Sequence, residues 1–186
     1  MHSTKDSSNG HEQVMLNGKP VEIERKYIID IPDENTMSIL RSCEGYERSY
    51  IEQMYLNCGG RIRKRAYFSD DADNFPDRIK YFHTIKQDIN GLSRYELERE
   101  ISCEEYNRLS EDILNGSRVI KKLRYCFLYK SQLFELDVYE LTDSFASLEI
   151  ELKSEDQSVE LPDFLHIIED VTGDKRYRNF SLAVIK

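Results

Sequence analysis

Between residues 21 and 153 the chain alternates apolar and polar positions with a period of two, the mark of half-buried β-strands. VEIERKYII (21–29) sets the pattern, with Ile23 and Tyr27 on one side and Glu22, Glu24 and Lys26 on the other. The same alternation predicts strands over 50–56, 61–68, 77–87, 93–101, 119–129, 134–140 and 146–153. Asn90-Gly91 between two of them is a strong hairpin signal. Helical spacing predicts helices over 32–43, 102–114 and 161–173. The first has Pro32 at its start, with Met37, Leu40 and Cys43 on one face. The second opens with Ser102 and Glu105 at capping-box spacing and carries a Tyr106, Leu109, Ile113 stripe. The third turns Phe164, Ile167, Ile168 and Val171 inward and stops at Gly173. Residues 1–19 are polar and read as a disordered tail, leaving residues 20–186 as one α+β domain. No internal repeat is visible.

The charged faces are nearly pure. Glu22, Glu24 and Lys26 share a face, as do Arg61, Arg63 and Arg65; Thr84 and Lys86; Glu96, Glu98 and Glu100; Lys122 and Arg124; Glu135, Asp137 and Tyr139; and Glu149 and Glu151. For a single strand, a solvated outer face is the ordinary explanation. Taken together, whole strand faces of one sign repel unless opposite charge, a metal or a ligand sits across from them. A sheet closed into a barrel, with charged faces inside and the amphipathic helices packed on the apolar outside, satisfies the pattern and removes exposed edges. The predicted fold is therefore α+β, with about eight strands, most of them antiparallel neighbours, closed into a barrel with helices packed outside.

Composition narrows the function. The chain has 186 residues and a net charge of -9, so bulk charge does not draw it to long nucleic acid or to an anionic membrane. No apolar run is long enough to span a membrane, and the N-terminus lacks the apolar centre of a signal peptide, which points to the cytoplasm. Cys43, Cys58, Cys103 and Cys126 have neither zinc nor disulfide-scaffold spacing and read as buried, reduced thiols. GxGxxG, P-loop and Gly-x-Ser-x-Gly motifs are absent.

Inside such a barrel, Glu22, Glu24, Glu149 and Glu151 are hard oxygen donors suited to Mg²⁺ or Mn²⁺. Lys26, Arg61, Arg63, Lys86, Lys122 and Arg124 form an anion cradle, with Arg offering a fork to phosphate and Lys a point charge. Metal ligands beside several cations describe a site for metal-bound polyphosphate.

These residues resemble the CYTH domain, or triphosphate tunnel metalloenzyme, family. Glu22-x-Glu24-x-Lys26 looks like its ExExK signature. The likeness continues through Arg61-x-Arg63, Thr84-x-Lys86, Glu96-x-Glu98, Lys122-x-Arg124, Asp137 and Glu149-x-Glu151, and ends in VTGDKRYRNFSLA (171–183). It covers roughly residues 21–184. The resemblance implies a closed eight-stranded antiparallel β-barrel, a tunnel in which Glu22, Glu24, Glu149 and Glu151 hold divalent metal, with Asp137 close by. Glu96 and Glu98 orient the cations or help with metal, and Lys175 reaches the mouth from a plug-like C-terminal segment, with Arg176 and Arg178 as rivals. Lys26, Lys86 and Lys175 are the candidate catalytic lysines. A lysine crowded by cations titrates low unless glutamates offset it, and a depressed amine can take a proton from water.

The expected reaction is hydrolysis of a small triphosphate, with inorganic triphosphate first. No Trp is present to cradle a thiazolium cation, and the cradle alone suffices for inorganic triphosphate. The alternatives are conversion of ATP to cyclic AMP and pyrophosphate, as in class IV adenylate cyclases, and a non-catalytic polyphosphate or nucleotide sensor. A homodimer through an exposed strand or helix face is compatible with the pattern. His2 and His11 read as solvated, His83 as pointing out of the tunnel, and His166 as exposed on the last helix. Tyr139 lines the interior or packs. Asp70, Asp71, Asp73 and Asp77 form a solvated acidic loop.

Overall fold

In a computed structural model of the chain, the described residues are 14–16, 18–69, 75–90 and 92–185, without the side chains of residues 16 and 19. Their strands are β1 (Val14–Leu16), β2 (Lys19–Ile29), β3 (Glu47–Tyr55), β4 (Arg61–Phe68), β5 (Arg78–Asp88), β6 (Ser93–Ile101), β7 (Ile120–Tyr129), β8 (Gln132–Tyr139), β9 (Ala146–Glu151) and β10 (Ile167–Asp170). The helices are α1 (Glu34–Arg41), α2 (Cys103–Leu109) and α3 (Asn179–Ala183). Eight strands close a ring in the order β2-β6-β5-β4-β3-β7-β8-β9, with β9 returning to β2. Every pairing is antiparallel. All eight predicted barrel strands are present, with ends shifted by a few residues.

β2 is the seam of the barrel. One edge pairs with β6 at Val21↔Tyr95 and then with β10 at Tyr27↔Asp170. The other pairs with β1 at Val14↔Val21 and then with β9 at Glu24↔Glu151. β1 departs from the expected tail, which was read as polar through residue 19. Its signal was the Asn17-Gly18 dipeptide, a hairpin turn pair; residues 1–13, with His2 and His11, lie outside the described set.

The expected helix over 161–173 is not formed. Ile167–Asp170 is strand β10 instead, followed by a 3₁₀ turn at Lys175–Tyr177. Beyond Ile23, β6 no longer covers that edge of β2, and its backbone groups need partners. The β-branched pair Ile167-Ile168 supplies a strand there. α1 is capped by Asp33, whose side chain accepts from the Thr36 amide at 2.8 Å. Ser102 caps α2 the same way through Glu105 N at 3.2 Å. α2 ends at Leu109 and continues only as a 3₁₀ turn, Ser110–Asp112.

The apolar core lies outside the barrel wall. Ile29, Phe127, Phe134, Leu136, Leu148 and Ile150 pack under Met37 and Leu40 of α1 and Leu165 of the loop before β10. α2 seats Tyr106 on Ile62, Leu56 and Ile101 of the opposite side. The helices do not cover everything. Ile85 and Leu97, opposite each other on β5 and β6, remain 50% and 63% exposed. The four cysteines are free thiols, but only Cys126 is buried; Cys58 and Cys103 are exposed, against the expectation of four buried thiols. Among the described residues, no helix is long and apolar enough to cross a membrane. Of the acidic loop, residues 70–74 lie outside the described set, and Asp77 accepts from the Ser69 amide.

Candidate active site

Strand parity turns the charged residues inward, where they line a cavity of about 620 Å³. Glu22, Glu24, Lys26, Arg61, Arg63, Lys86, Glu96, Glu98, Lys122, Arg124, Glu149 and Glu151 all reach it, as the sequence predicts. Two predicted residues do not. Asp137 is fully buried behind the lining, and Lys175 is exposed outside it. Arg178, three residues on from Lys175, lines the cavity in its place.

The side chains form an interlocked lattice. Lys26 Nζ donates to Glu149 at 2.7 Å. Lys86 bridges Glu22 at 2.6 Å and Glu96 at 2.7 Å. Arg63 pairs with Glu98, which also accepts from the Thr84 hydroxyl at 2.6 Å. Arg61 lies 3.6 Å from Glu96. Arg124 forks onto Asp137 through Nε and Nη2, both at 2.7 Å, and reaches Glu149 at 2.9 Å. Lys122 also pairs with Asp137. Asp137 thus pairs with two of the cavity's cations from behind the lining.

Arg94 is the main residue that the sequence reading left out. It shares the parity of Glu96 and Glu98 and donates to Glu24 at 3.2 Å, with Glu22 at 3.4 Å. Glu135, on the same inward face as Asp137, lines the cavity and pairs with Arg124. Arg65 lines it too, held by Ser49 at 3.0 Å and Glu47 at 3.1 Å. Tyr139 packs behind the lining, its hydroxyl 3.0 Å from both Ser147 and Asn179. His83 is on the outward parity, and His166 is exposed, but beside β10 with Nδ1 2.6 Å from Asp30.

Burial and neighbours split the carboxylates into two groups. Burial pushes Glu22 up, but Lys86 and Arg94 outweigh it and hold its carboxyl down at about 2. Burial likewise opposes Lys26 and Arg124 at Glu149, where the cations win and the pKa is well below normal. Glu24 is raised to about 7 by burial and then by Glu149 and Glu22. Glu151 is raised to about 8 by burial, Glu135, Glu22 and Glu96. The lysines also divide. Burial pulls Lys26 down, but Glu149, Tyr139 and Glu24 raise it overall, so it stays charged. Burial and Arg124 lower Lys122 to about 8, with Asp137 only partly offsetting them. The depressed amine is therefore Lys122, which the sequence assigns to the phosphate cradle and not to the candidate catalytic lysines.

The acids suit a hard cation. Glu24 faces Glu151 across β2 and β9, and Glu135 faces Glu149 across β8 and β9. Like charges directly opposite destabilise a sheet unless something positive intervenes. The raised carboxyls of Glu24 and Glu151 mark where the Lys and Arg lattice falls short. Oxygen-only donors fit Mg²⁺ or Mn²⁺. Among the described residues no three acidic, His or Cys side chains converge ready-made on one point. A cation would therefore draw carboxylates from their Lys and Arg partners.

A closed antiparallel barrel with carboxylates and a cationic cradle facing one cavity defines an anion-binding β-tunnel. No protein-family model matches the chain. An inorganic triphosphatase of Acetivibrio thermocellus is 33% identical over 130 residues, 67% of this chain and 81% of that protein. One of Nitrosomonas europaea is 30% identical over 165 residues, 88% of this chain and 97% of that protein. The crystal structure of the inorganic triphosphatase NE1496 superposes with a TM-score of 0.53 at 28% identity, covering 93% of this chain and 98% of that one. The structure of PH1819 from Pyrococcus horikoshii, with a TM-score of 0.51 and 20% identity over 73% of this chain and 80% of that one, shares the fold. The chain belongs to the inorganic triphosphatase family of CYTH, or triphosphate tunnel, proteins.

Proposed function

We propose that the protein hydrolyses inorganic triphosphate to diphosphate and phosphate inside this tunnel, with Mg²⁺ or Mn²⁺ held by Glu22, Glu24, Glu149 and Glu151. The observation that carries the reading is the meeting of the cationic cradle with the opposed acids Glu24 and Glu151 in one cavity. The relatives named as triphosphatases support it, and favour hydrolysis over cyclisation of ATP.

Phosphoryl transfer passes through a loose transition state, so positioning and charge neutralisation carry the rate. Each cradle cation is already ion-paired with a carboxylate, and substrate exchanges those partners for phosphate oxygens. Arg61, Arg63 and Arg124 offer planar forks, and Lys26 and Lys86 point charges. Once the phosphates are bound, these charges stay fixed on the barrel wall and need little reorganisation as negative charge shifts to the bridging oxygen. Water attacks the terminal phosphorus, the anhydride P–O bond breaks and diphosphate leaves. Lys26 stays protonated throughout, whereas Lys122 can hold or release a proton near neutral pH. Bound among the glutamates, the divalent ion supplies Lewis acidity toward phosphate oxygens. The free thiols suit a reducing compartment, and we place the protein in the cytoplasm.

The test is phosphate release from inorganic triphosphate with Mg²⁺ or Mn²⁺, beside ATP assayed for cyclic AMP. Glu24→Gln and Lys26→Ala should each lower the rate about 100-fold or more. Cyclic AMP and pyrophosphate as the main products would replace the reading with a cyclase. Metal-dependent binding without turnover would replace it with a sensor.

A further inference from the structure

One ion pair that lines the cavity lies outside the cradle, Arg178 with Asp88. Arg178 lies between the 3₁₀ turn Lys175–Tyr177 and α3. Its side chain lines the main cavity and a neighbouring pocket of about 20 Å³ that also touches Glu24, Lys26 and Arg94. Yet its guanidinium donates to Asp88, Nη1 to Oδ2 at 2.7 Å. Asp88 is the last residue of β5, lines the same cavity, and sits opposite Arg94 of the neighbouring strand β6.

The backbone around Arg178 is tied down without this pair. Asn179 accepts from the Tyr139 hydroxyl at 3.0 Å, and the Phe180 ring stands edge-on to Tyr55 at 5.1 Å. The Arg118 amide donates to Ala183 O at 2.8 Å, and Ile185 N donates to Gly116 O at 2.9 Å. The guanidinium can therefore leave Asp88 while the segment stays on the barrel. The pair is also weak. Its side chains are 23% and 46% exposed, and ion pairs in that setting contribute little. A multiply charged phosphate chain is a better partner for an arginine fork than one wet carboxylate.

We propose that Arg178 is a phosphate-binding residue at the tunnel mouth, held in reserve by Asp88 and taken over by the substrate on entry. The inference rests on the triphosphatase reading. Binding exchanges one ion pair for another, and Asp88 is not stranded, because Arg94 stands across the strand pair from it. Asp88 thus tunes affinity from outside the cradle.

Opposite signs in the two partners test this. KM and kcat for inorganic triphosphate with Mg²⁺ are measured in Arg178→Gln, Asp88→Asn and the double variant. Arg178→Gln should raise KM about tenfold or more. Asp88→Asn should lower it about two- to fivefold. The double variant should match Arg178→Gln, because the effect of Asp88 runs through Arg178. If Asp88→Asn raises KM as well, the pair is only a structural clasp and the proposal fails. It fails too if Asp88→Asn lowers KM equally in the Arg178→Gln background, since Asp88 then repels substrate directly. Should Arg178→Gln melt early, Arg178→Lys keeps the charge and must restore most of the KM. A wild-type protein that neither binds nor hydrolyses triphosphate sinks the triphosphatase reading itself, and that is seen before any variant is assayed.

Discussion

Replacing Asp137 by Asn removes one charge and almost no volume from the most enclosed part of the lattice. Asp137 and Lys122 are 0% and 1% exposed, and Arg124 forks onto the same carboxylate. Taking away one partner of a buried ion pair costs about 3–5 kcal/mol, because the remaining charge is left uncompensated. Arg124 keeps Glu149 and Glu135, so the loss falls mainly on Lys122. That lysine has an escape. Its amine already sits at about 8, and without Asp137 it drops further and sheds its proton. Keeping a lysine neutral at pH 7 costs at most about 5 kcal/mol relative to the unfolded chain, which caps the damage in the same range. For a domain of this size, about 3–5 kcal/mol corresponds to a melting temperature roughly 6–20 °C lower. Urea and thermal unfolding measure it, alongside the Mg²⁺ midpoint for activity. A loss below about 1 kcal/mol together with a raised Mg²⁺ midpoint would show that Asp137 reaches metal and is no anchor.

The opposed acids give a pH signature. Glu24 and Glu151, raised to about 7 and about 8, keep their protons in the fold at pH values where the unfolded chain, ionising near 4.5, has lost them. Stability without metal should therefore fall as pH rises from about 4.5 to 8, and Mg²⁺ should restore it at pH 8; a melting temperature flat across that range counts against the site. Glu24→Gln should stabilise the metal-free protein while lowering phosphate release, the usual exchange of stability for function, and a destabilised variant would contradict it. Gly60 has φ +81°, and a Cβ there would lie 2.9 Å from the Thr84 carbonyl oxygen. Gly60→Ala should cost about 1–3 kcal/mol in a thermal melt, and an unchanged melting temperature would refute the strain argument.

The barrel was legible because its information is local. Side-chain parity in each strand fixes which residues face the cavity, and sign purity says that those faces meet one another. Arg94 was legible by the same rule, in phase with Glu96 and Glu98, and was overlooked because acidic neighbours dominate its strand. Which cations a carboxylate holds was not legible, because it depends on register between strands far apart in sequence. Asp137 and Lys175 show this. Parity turns Asp137 inward, but only the pairing of β7 with β8 sets it opposite Arg124 and beside Lys122. The reach of Lys175 or Arg178 depends on a turn that sequence pattern does not specify. The error over 161–173 has another origin. Phe164, Ile167, Ile168 and Val171 fit a helical stripe, but the bare edge of β2 decided the outcome, and a lone segment carries no record of an edge elsewhere.

The seam strand has a consequence for how the molecule comes into being. β2 is made early and β9 late, and Lys26 meets Glu149 from 123 residues away in sequence. Pairing over such a separation is slow, because the closing contact must outweigh the ordering of a long loop. Once β6 is made, a nascent chain can pair Glu22 and Glu24 with Lys86 and Arg94, but Lys26 waits for β9. Closure then sets Glu24 opposite Glu151 and completes the lattice at Lys26 and Arg124 through Glu149. The burial of Glu24 and Glu151 beside other carboxylates is completed at that step, so a divalent ion that neutralises the interior acts on the last stage of folding, and the rate of barrel closure becomes sensitive to the ligands that the finished tunnel holds.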